Sequence, residues 1–174
     1  MDDYRYPIGR FEHRGPLTPA QRADCIARIA AAPALVRAAV AGLTDARLDT
    51  PYRPGGWTLR QVVHHLPDSH LNSYVRFKLA VTEDVPTIKP YEEARWAELP
   101  EARTAPVELS LTLLDALHAR WVLFLRSLTA EQCLRTLRHP ELGLVTLDYM
   151  LDMYAWHGEH HAGHITGLRK RMGW

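Results

Sequence analysis

The stretch Thr146–Ile165, TLDYMLDMYAWHGEHHAGHI, decides the fold. Its apolar residues recur every three or four positions, which is the period of an amphipathic helix. Thr146 is the predicted N-cap, and we expect the helix to continue to about Arg171. Four histidines fall in the eight positions from 157 to 164. Because imidazole is a common metal ligand and titrates near neutral pH, this density indicates a metal site or, alternatively, a pH-sensitive cluster.

Helical geometry separates the four histidines. A helix turns about 100° per residue, so with His157 at zero, His161 lies at about +40°. By the same arithmetic, His164 and His160 lie at about −20° and −60°. The apolar side chains fall between about +20° and +120°. His157 and His161 therefore adjoin the buried stripe, and His160 is expected farthest toward the flank. The opposite side carries polar residues, among them Asp148, Asp152, Glu159 and Thr166.

A second histidine cluster lies in Trp57–His70, WTLRQVVHHLPDSH. Thr58 and Gln61 form a predicted capping box for a helix that runs to about Val81. His65 adjoins the apolar stripe of this helix, whereas His64 points about 100° away, toward the polar flank. A metal needs more ligands than one H-x-x-x-H pair supplies, and His65 is the better candidate for the third.

Polar residues accompany His65 on its helix. Ser69, Asn72 and Arg76 fall within about 40° of it and form a polar stripe beside the apolar one. Such a stripe is costly inside a bundle unless it serves a site. Arg76 suits an anionic ligand, although an ion pair across the bundle is an equal alternative. Pro67 removes a helix hydrogen bond and is expected to kink the helix.

The remaining signals are also mostly helical. Thr18 and Gln21 predict a capping box for a helix toward Leu43, with a break or kink at Pro33. A third long helix is predicted from Pro106 to about Leu128. The proline-containing segment Thr82–Ala105 is too long for a tight turn and is expected to cross over the bundle. The letters HPELG indicate a small β-hairpin. We therefore predict one all-α domain over residues 1–174, a four-helix bundle with a long crossover.

Composition excludes several classes of protein. The 174 residues carry a net charge of +1 with interspersed acids and bases, which argues against nucleic acid as a partner. We expect no membrane segment, because no apolar run approaches the roughly 18–20 residues that span a bilayer. The two cysteines, Cys25 and Cys133, form no disulfide framework, and no secretory signal is recognised. A cytoplasmic location is therefore expected. No role is assigned to the isolated histidines His13, His70, His118 and His139.

Several segments together resemble a known family. They include Gly55–Tyr91, the sequences LHARW and YAWHGEHHAGHI, the N-terminal YPIGRFE and the C-terminal RKRMGW. These are similar to the bacillithiol S-transferase and metal-dependent hydrolase group of the DinB-like superfamily. The resemblance covers nearly the whole chain. It implies a DinB-like bundle, a cytoplasmic homodimer and a divalent metal bound by three histidines, which fall on His65, His157 and His161. Pro67 departs from the family pattern, in which a small residue is more usual.

Three histidine ligands leave open positions on zinc or nickel, as catalytic sites require. In one chemistry, the metal lowers the pKa of a small thiol such as bacillithiol, and the thiolate attacks an electrophile. In the other, metal-activated water hydrolyses an amide or ester. Glu159 faces away, and Asp68, about 60° from His65, fits better as a hydrogen-bond partner than as a base. Without a strong base, thiol transfer is favoured. Asn72 and Arg76 are candidate contacts for the thiol, and a non-catalytic metal-binding stress protein is a third alternative.

Overall fold

The computed structural model describes residues 4–13 and 15–174. Most of this part of the chain is helical. The four long helices are α1 (Pro19–Val40), α3 (Leu59–Thr82), α6 (Val107–Ser127) and α8 (Leu147–Met172). The short helices are α2 (Asp45–Leu48), α4 (Glu93–Trp96), α5 (Pro100–Thr104) and α7 (Ala130–Cys133). Strands β1 (Thr136–His139) and β2 (Gly143–Thr146) form an antiparallel hairpin that pairs Leu137 with Val145. The predicted all-α bundle with a small hairpin is confirmed.

Threonine caps fix where the helices begin. Thr18 accepts a hydrogen bond from the backbone N–H of Gln21, whose side chain accepts in return from the Thr18 backbone. Thr58 and Gln61 repeat this capping box at α3. Thr146 caps α8, as its sequence predicts. Each cap satisfies backbone donors that the first helical turn leaves unpaired, so it defines the starting residue.

Two apolar clusters show how the long helices are oriented. One contains Ile29 of α1, Phe77 of α3, Trp121 and residues from the N-terminal half of α8. The other lies around the opposite helix ends and includes Val36 and Leu66. The N-terminal halves of α1 and α8 therefore share one end of the bundle with the C-terminal halves of α3 and α6. The pairs α1–α8 and α3–α6 consequently run parallel, and both pairs are neighbours.

The parallel α3–α6 pair explains the long connection between them. A chain that leaves the end of α3 must return along the bundle before α6 can start in the same direction. Residues 83–106 make this return and contain α4 and α5. The segment is held to the hairpin where Ile88 donates to the carbonyl of Arg138 at 3.1 Å and Arg138 donates to the carbonyl of Pro86 at 2.9 Å. The predicted crossover is thus present, with two short helices inside it.

The two helix-interior prolines do not interrupt their helices. Helix α1 continues through Pro33 and ends at Val40, so a break at Pro33 and the extension toward Leu43 are wrong, whereas a kink at Pro33 stays a prediction. Helix α3 likewise continues through Pro67. Both proline rings are buried, so packing against neighbouring helices holds these turns together. Pro33 has no N–H for the carbonyl of Ile29, which is left to bond elsewhere.

The polar side of α8 is covered rather than solvated. Asp148 is fully buried, and Arg22 of α1 donates two hydrogen bonds to its carboxylate, each 2.7 Å long. Further along, Glu159 pairs with Arg28 at 2.7 Å. These acids lie opposite the apolar stripe as predicted, but they face α1 instead of water. No helix in the described part of the chain is long and apolar enough to cross a membrane.

Candidate metal centre

Three histidines from two helices converge in the middle of the bundle. His65 of α3 and His157 and His161 of α8 offer ring nitrogens that all lie within 4.8 Å of one another. His65 and His161 are each 8% exposed, and His157 is somewhat more open. The structure thus brings together the three residues that helix geometry favours. The three rings lie between the two apolar clusters, so they are largely shielded from bulk water but remain partly accessible.

The spacing within this cluster suits metal coordination. Nε2 of His65 lies 3.4 Å from Nε2 of His157. Two nitrogens that each lie about 2.0–2.1 Å from a tetrahedral zinc ion are about 3.3–3.4 Å apart. The donor set is wholly imidazole, which suits zinc, nickel and related divalent ions. The residues present therefore fit a divalent cation, and His65, His157 and His161 are the side chains that would hold it.

Burial keeps the cluster uncharged. Desolvation is the main cause that lowers the pKa of His65 to about 4, and the neighbouring His164 adds to the effect. Burial also lowers the pKa of His157 and His161 well below the usual value, with mutual repulsion among the rings as a further cause. Metal binding requires neutral imidazole, so at neutral pH these rings are ready to coordinate without first losing a proton.

Two histidines without a sequence-based role lie directly behind His157. Nδ1 of His157 is 3.0 Å from Nε2 of His70, and Nδ1 of His70 is 2.7 Å from Nε2 of His118. Nδ1 of His118 lies 2.6 Å from the carbonyl oxygen of Ile29. His70 and His118 are fully buried. Their connection to the cluster spans α1, α3, α6 and α8, so the periodicity of one helix could not reveal it.

The flanking histidines of α8 are buried, contrary to the sequence-based expectation. His160 is 7% exposed and stacks on Trp156, with ring centroids 4.2 Å apart. His164 is 4% exposed, stacks on Tyr52 and bonds through Nε2 to the carbonyl of Arg5 at 3.1 Å. The N-terminal segment, residues 4–13, lies along this flank of α8 and covers it. The prediction that His160 would lie farthest toward a polar flank missed this covering segment.

His64 is also inside the fold. Its exposed fraction is 6%, and its ring nitrogens lie 2.7 Å from Oγ of Ser110 and 3.1 Å from the carbonyl of Ala105. The expected direction, away from His65, is right. The polar flank that the sequence predicted is occupied by α6 and the end of the crossover, so His64 is a hydrogen-bonded core residue.

The polar stripe on α3 leads away from the cluster. Arg76 lies about three helical turns, roughly 16 Å along the axis, from His65. It is buried and donates to the carbonyl of Lys89 in the crossover at 3.3 Å. Asn72 donates to the carbonyl of Asp68 at 2.8 Å, and Ser69 lies 3.4 Å from Oη of Tyr154. The structure does not bring Asn72 or Arg76 to the three histidines, and a role in thiol binding stays a prediction.

Asp68 is half-buried near the crossover. Burial is the main cause that raises the pKa of its carboxyl to about 6, and repulsion from Glu101 adds to it. Its backbone carbonyl accepts a hydrogen bond from the side chain of Asn72. No bond joins its carboxylate to a histidine of the cluster among the described residues. Its predicted role as a partner of a ligand remains a prediction.

A cavity of about 380 Å³ opens beside the cluster. Its wall includes His161, and Trp57 packs on His65 with ring centroids 4.8 Å apart. Two arginine residues, Arg5 and Arg53, belong to the lining. The other lining residues are Tyr6, Tyr52, Gly55, Gly56, His160 and His164. Among the described residues no carboxylate lines this cavity.

The sequence offered partial signals for this cavity. Trp57 immediately precedes Thr58, the N-cap of the helix that carries His65, and it lines the cavity. Arg53 belongs to the PYRPGG loop, whose glycine at 55 adopts a positive φ of 67° that brings the chain around to Thr58. Arg5 approaches from the distant N-terminal segment. The sequence does not predict that Arg5 and Arg53 lie in one cavity, because their proximity depends on how the N-terminal segment packs on α8.

Comparison with known proteins agrees with this architecture. A family model described as the DinB superfamily matches residues 28–165. A Bacillus cereus B4264 protein named "Putative metal-dependent hydrolase" is 53% identical over 174 residues, covering 100% of both chains. The structure of YfiT from Bacillus subtilis, described as a probable metal-dependent hydrolase with an unusual four-helix bundle topology, has a TM-score of 0.97. It is 48% identical and the match covers 99% of each chain.

A more distant structure shares the fold alone. TT2238, a four-helix bundle protein, is 20% identical with a TM-score of 0.57, and the match covers 88% of this chain and 99% of that one. The closer matches extend over essentially the whole sequence and confirm the family resemblance. The chain belongs to the DinB superfamily.

Proposed function

We propose that this protein is a metal-dependent enzyme that transfers a low-molecular-weight thiol, similar to bacillithiol, to small electrophilic molecules. The observation that carries the proposal is the three-histidine cluster, of which His161 also lines a cavity that contains Arg53 in its wall. A divalent ion, zinc or nickel, would be held by His65, His157 and His161. The names of the relatives support metal dependence.

The metal would act as a Lewis acid that lowers the pKa of a bound thiol and so supplies a nucleophile at neutral pH. The chain's own residues would bind and orient the reactants. Arg53 lies at the cavity wall with its Nε 3.2 Å from Oη of Tyr52, which directs the guanidinium. An anionic thiol would pair with it. Trp57 shields His65 from water and offers an apolar face to the electrophile.

No carboxylate of the described residues bonds to the cluster, and this favours a thiol over water as nucleophile. Hydrolysis at a metal generally also needs a group that takes up or delivers a proton. Glu159 is paired with Arg28, and in the described part of the chain the Asp68 side chain makes no hydrogen bond to the cluster. A thiol needs less assistance, because its ordinary pKa of about 8.5 is already close to neutral.

Hydrolysis of an amide or ester is the second candidate, and the names of the relatives favour it. It would use the same three histidines, with His160 or His164 at the cavity wall as a proton carrier. Against this, burial lowers the pKa of His160 to about 3 and that of His164 to about 4, which makes both poor acids at neutral pH. We further propose a homodimer in the cytoplasm as the working form.

The test compares the two reactions on one preparation. Protein purified without a histidine tag is loaded with zinc or nickel and incubated with bacillithiol and a chromogenic electrophile. Conjugate that requires both metal and thiol supports transfer. Turnover of chromogenic esters or amides without thiol would establish hydrolysis instead. If neither product forms with metal bound, the protein is a non-catalytic metal binder. The His65→Ala variant serves as the inactive control in each assay.

A further inference from the structure

Two of the three clustered histidines are backed by further histidines that end on backbone carbonyls. His157 connects through His70 and His118 to the carbonyl of Ile29. His161 connects through its Nδ1 to Nδ1 of His164, at 3.3 Å, and Nε2 of His164 reaches the carbonyl of Arg5. A carbonyl oxygen can only accept a hydrogen bond, so each chain of rings has a fixed direction.

The carbonyl of Ile29 determines which ring nitrogen carries hydrogen in the first chain of rings, His118–His70–His157. Because the Ile29 oxygen accepts, Nδ1 of His118 carries the hydrogen. A neutral His118 then has a lone pair on Nε2, which accepts from Nδ1–H of His70. Nε2 of His70 in turn accepts from Nδ1–H of His157. The ring of His157 is left with its lone pair on Nε2, the atom that faces His65 at 3.4 Å.

The fold supplies the acceptor that starts this chain. In an uninterrupted helix the Ile29 carbonyl would accept from the N–H of residue 33, but Pro33 has none. The carbonyl is therefore available to His118, and the bond is only 2.6 Å long. A positive charge on His118 would let Nε2 donate and would reverse the chain. His118 is 1% exposed and His70 is 0% exposed, so a cation at either ring would be strongly disfavoured.

The second chain gives the same result at His161. Nε2 of His164 must donate to the Arg5 carbonyl, which leaves the lone pair of a neutral His164 on Nδ1. That lone pair accepts from Nδ1–H of His161, so the free lone pair of His161 is on Nε2. Two independent backbone carbonyls, one in α1 and one in the N-terminal segment, thus dictate the same tautomer at both positions on α8.

We propose that His70, His118 and His164 are positioning residues that fix His157 and His161 as Nδ1–H tautomers, with Nε2 ready to bind metal. This inference rests on the proposed metal site. Hydrogen bonds behind a metal-binding histidine orient its ring and raise its basicity, and their loss typically costs about 10–100-fold in metal affinity. A neutral histidine without such partners divides its population between two tautomers and must reorganise before it binds.

The direct test needs no substitution and no metal. Metal-free full-length protein labelled with ¹⁵N-histidine is studied by long-range ¹H–¹⁵N correlation spectroscopy, which distinguishes a protonated from an unprotonated ring nitrogen. We expect His157 and His161 each to carry hydrogen on Nδ1 only. Hydrogen on Nε2 of either ring, or an even mixture of tautomers, would overturn the proposal for that ring. Because this measurement does not depend on turnover, it tests the tautomers of His157 and His161 even if the proposed reaction fails.

Variants then test the consequence for affinity. His118→Phe removes the hydrogen bond to His70, and His164→Phe removes the one to His161. In each variant, zinc affinity measured by chelator competition should fall about 10–100-fold. His164→Asn restores an acceptor near the Nδ1 position and should recover most of the loss. The matched control is His160→Phe, because His160 lies on the same helix and its buried Nδ1 has no partner among the described residues. Equal affinity in His118→Phe, His164→Phe and His160→Phe would overturn the proposal.

Discussion

Nε2 of His65 lies 3.4 Å from Nε2 of His157, although the two residues are 92 positions apart in the chain. This distance matches what two nitrogen ligands of one tetrahedral ion adopt. Two helices of opposite direction present the atoms, and packing around both rings holds their spacing. The pair therefore yields a direct prediction about metal content.

Each of the single substitutions His65→Ala, His157→Ala and His161→Ala should abolish stoichiometric zinc or nickel binding. The two imidazoles that remain give the ion too few protein ligands. Mass spectrometry of protein purified without a histidine tag measures the metal per chain. His64→Ala is the matched control, since His64 is a buried neighbour that bonds to Ser110 instead of facing the cluster. It should keep full occupancy and lose about 1 kcal/mol of stability with its hydrogen bonds. Full occupancy in the His65→Ala protein would contradict the site.

Gly158 allows α1 and α8 to approach closely beside His157. A Cβ atom at this position would lie 2.9 Å from Cβ of Ala32 and 3.8 Å from Cε1 of His70. Gly158→Ala should therefore force the helices apart and reduce the free energy of unfolding by about 1–3 kcal/mol. Urea titration followed by circular dichroism measures the change.

Gly167→Ala is the control for this substitution. Gly167 lies on the same helix, and its added Cβ would meet only the flexible side chain of Arg171, at 3.5 Å. Since alanine favours helix over glycine, this variant should be more stable by up to about 1 kcal/mol. If both variants gain stability, close packing at Gly158 is not a constraint.

Local sequence signals specified much of the fold. Thr18 with Gln21 and Thr58 with Gln61 set helix starts because a capping box depends on residues three positions apart. Helical angles also selected His65, which the structure places beside His157. Both kinds of inference use only the geometry of one helix, which the sequence contains in full.

Tertiary contacts account for what sequence could not supply. His64 and His160 lie on flanks that look polar along their own helices, but α6 and the N-terminal segment cover those flanks. The bonds that join His118 to His70 cross between helices and depend on the packing of the whole bundle. Burial of Asp148 likewise follows from Arg22, which lies 126 positions away.

Arg53 and Arg76 distinguish two locations for the anionic part of a thiol. Arg53 lies in the wall of the cavity beside the cluster, whereas Arg76 bonds to a backbone carbonyl in the crossover. Arg53→Gln should raise the KM for an anionic thiol about tenfold, equivalent to about 1.4 kcal/mol, and the effect should shrink at high salt. Arg76→Gln should lower the melting temperature and leave this KM unchanged. A raised KM in Arg76→Gln alone would instead support the thiol contact predicted from the sequence.

The metal-free protein should lose stability steeply in mild acid. Eight histidines in or beside the core have lowered pKa values, chiefly because burial disfavours the charged ring: His64, His65, His70, His118, His157, His160, His161 and His164. In the unfolded chain the pKa of each histidine returns to about 6.5. The unfolded state therefore binds more protons below this pH.

The sign of the effect follows from that difference. Stability is complete above about pH 6.5 and falls by up to about 1.4 kcal/mol per pH unit for each such histidine, until the pH reaches its folded pKa. For His65 that value is about 4, so the window extends from about 6.5 down to about 4. Several histidines acting together should unfold the metal-free bundle within this window. The free energy of unfolding, measured by urea titration at successive pH values, should rise with pH. Its slope should correspond to several more protons bound by the unfolded state than by the folded state.

Zinc should shift this acid transition to lower pH, because it binds the folded state and requires neutral imidazole. The shift should disappear in His65→Ala, which cannot retain the ion, but persist in His160→Phe, which removes one buried histidine and leaves the cluster intact. His160→Phe should also reduce the slope of stability against pH by about one proton, since its ring has a folded pKa of about 3. A metal-free protein whose stability is constant from pH 7 to about pH 5, the range in which histidine titrates, would show that these rings are not held neutral by the fold.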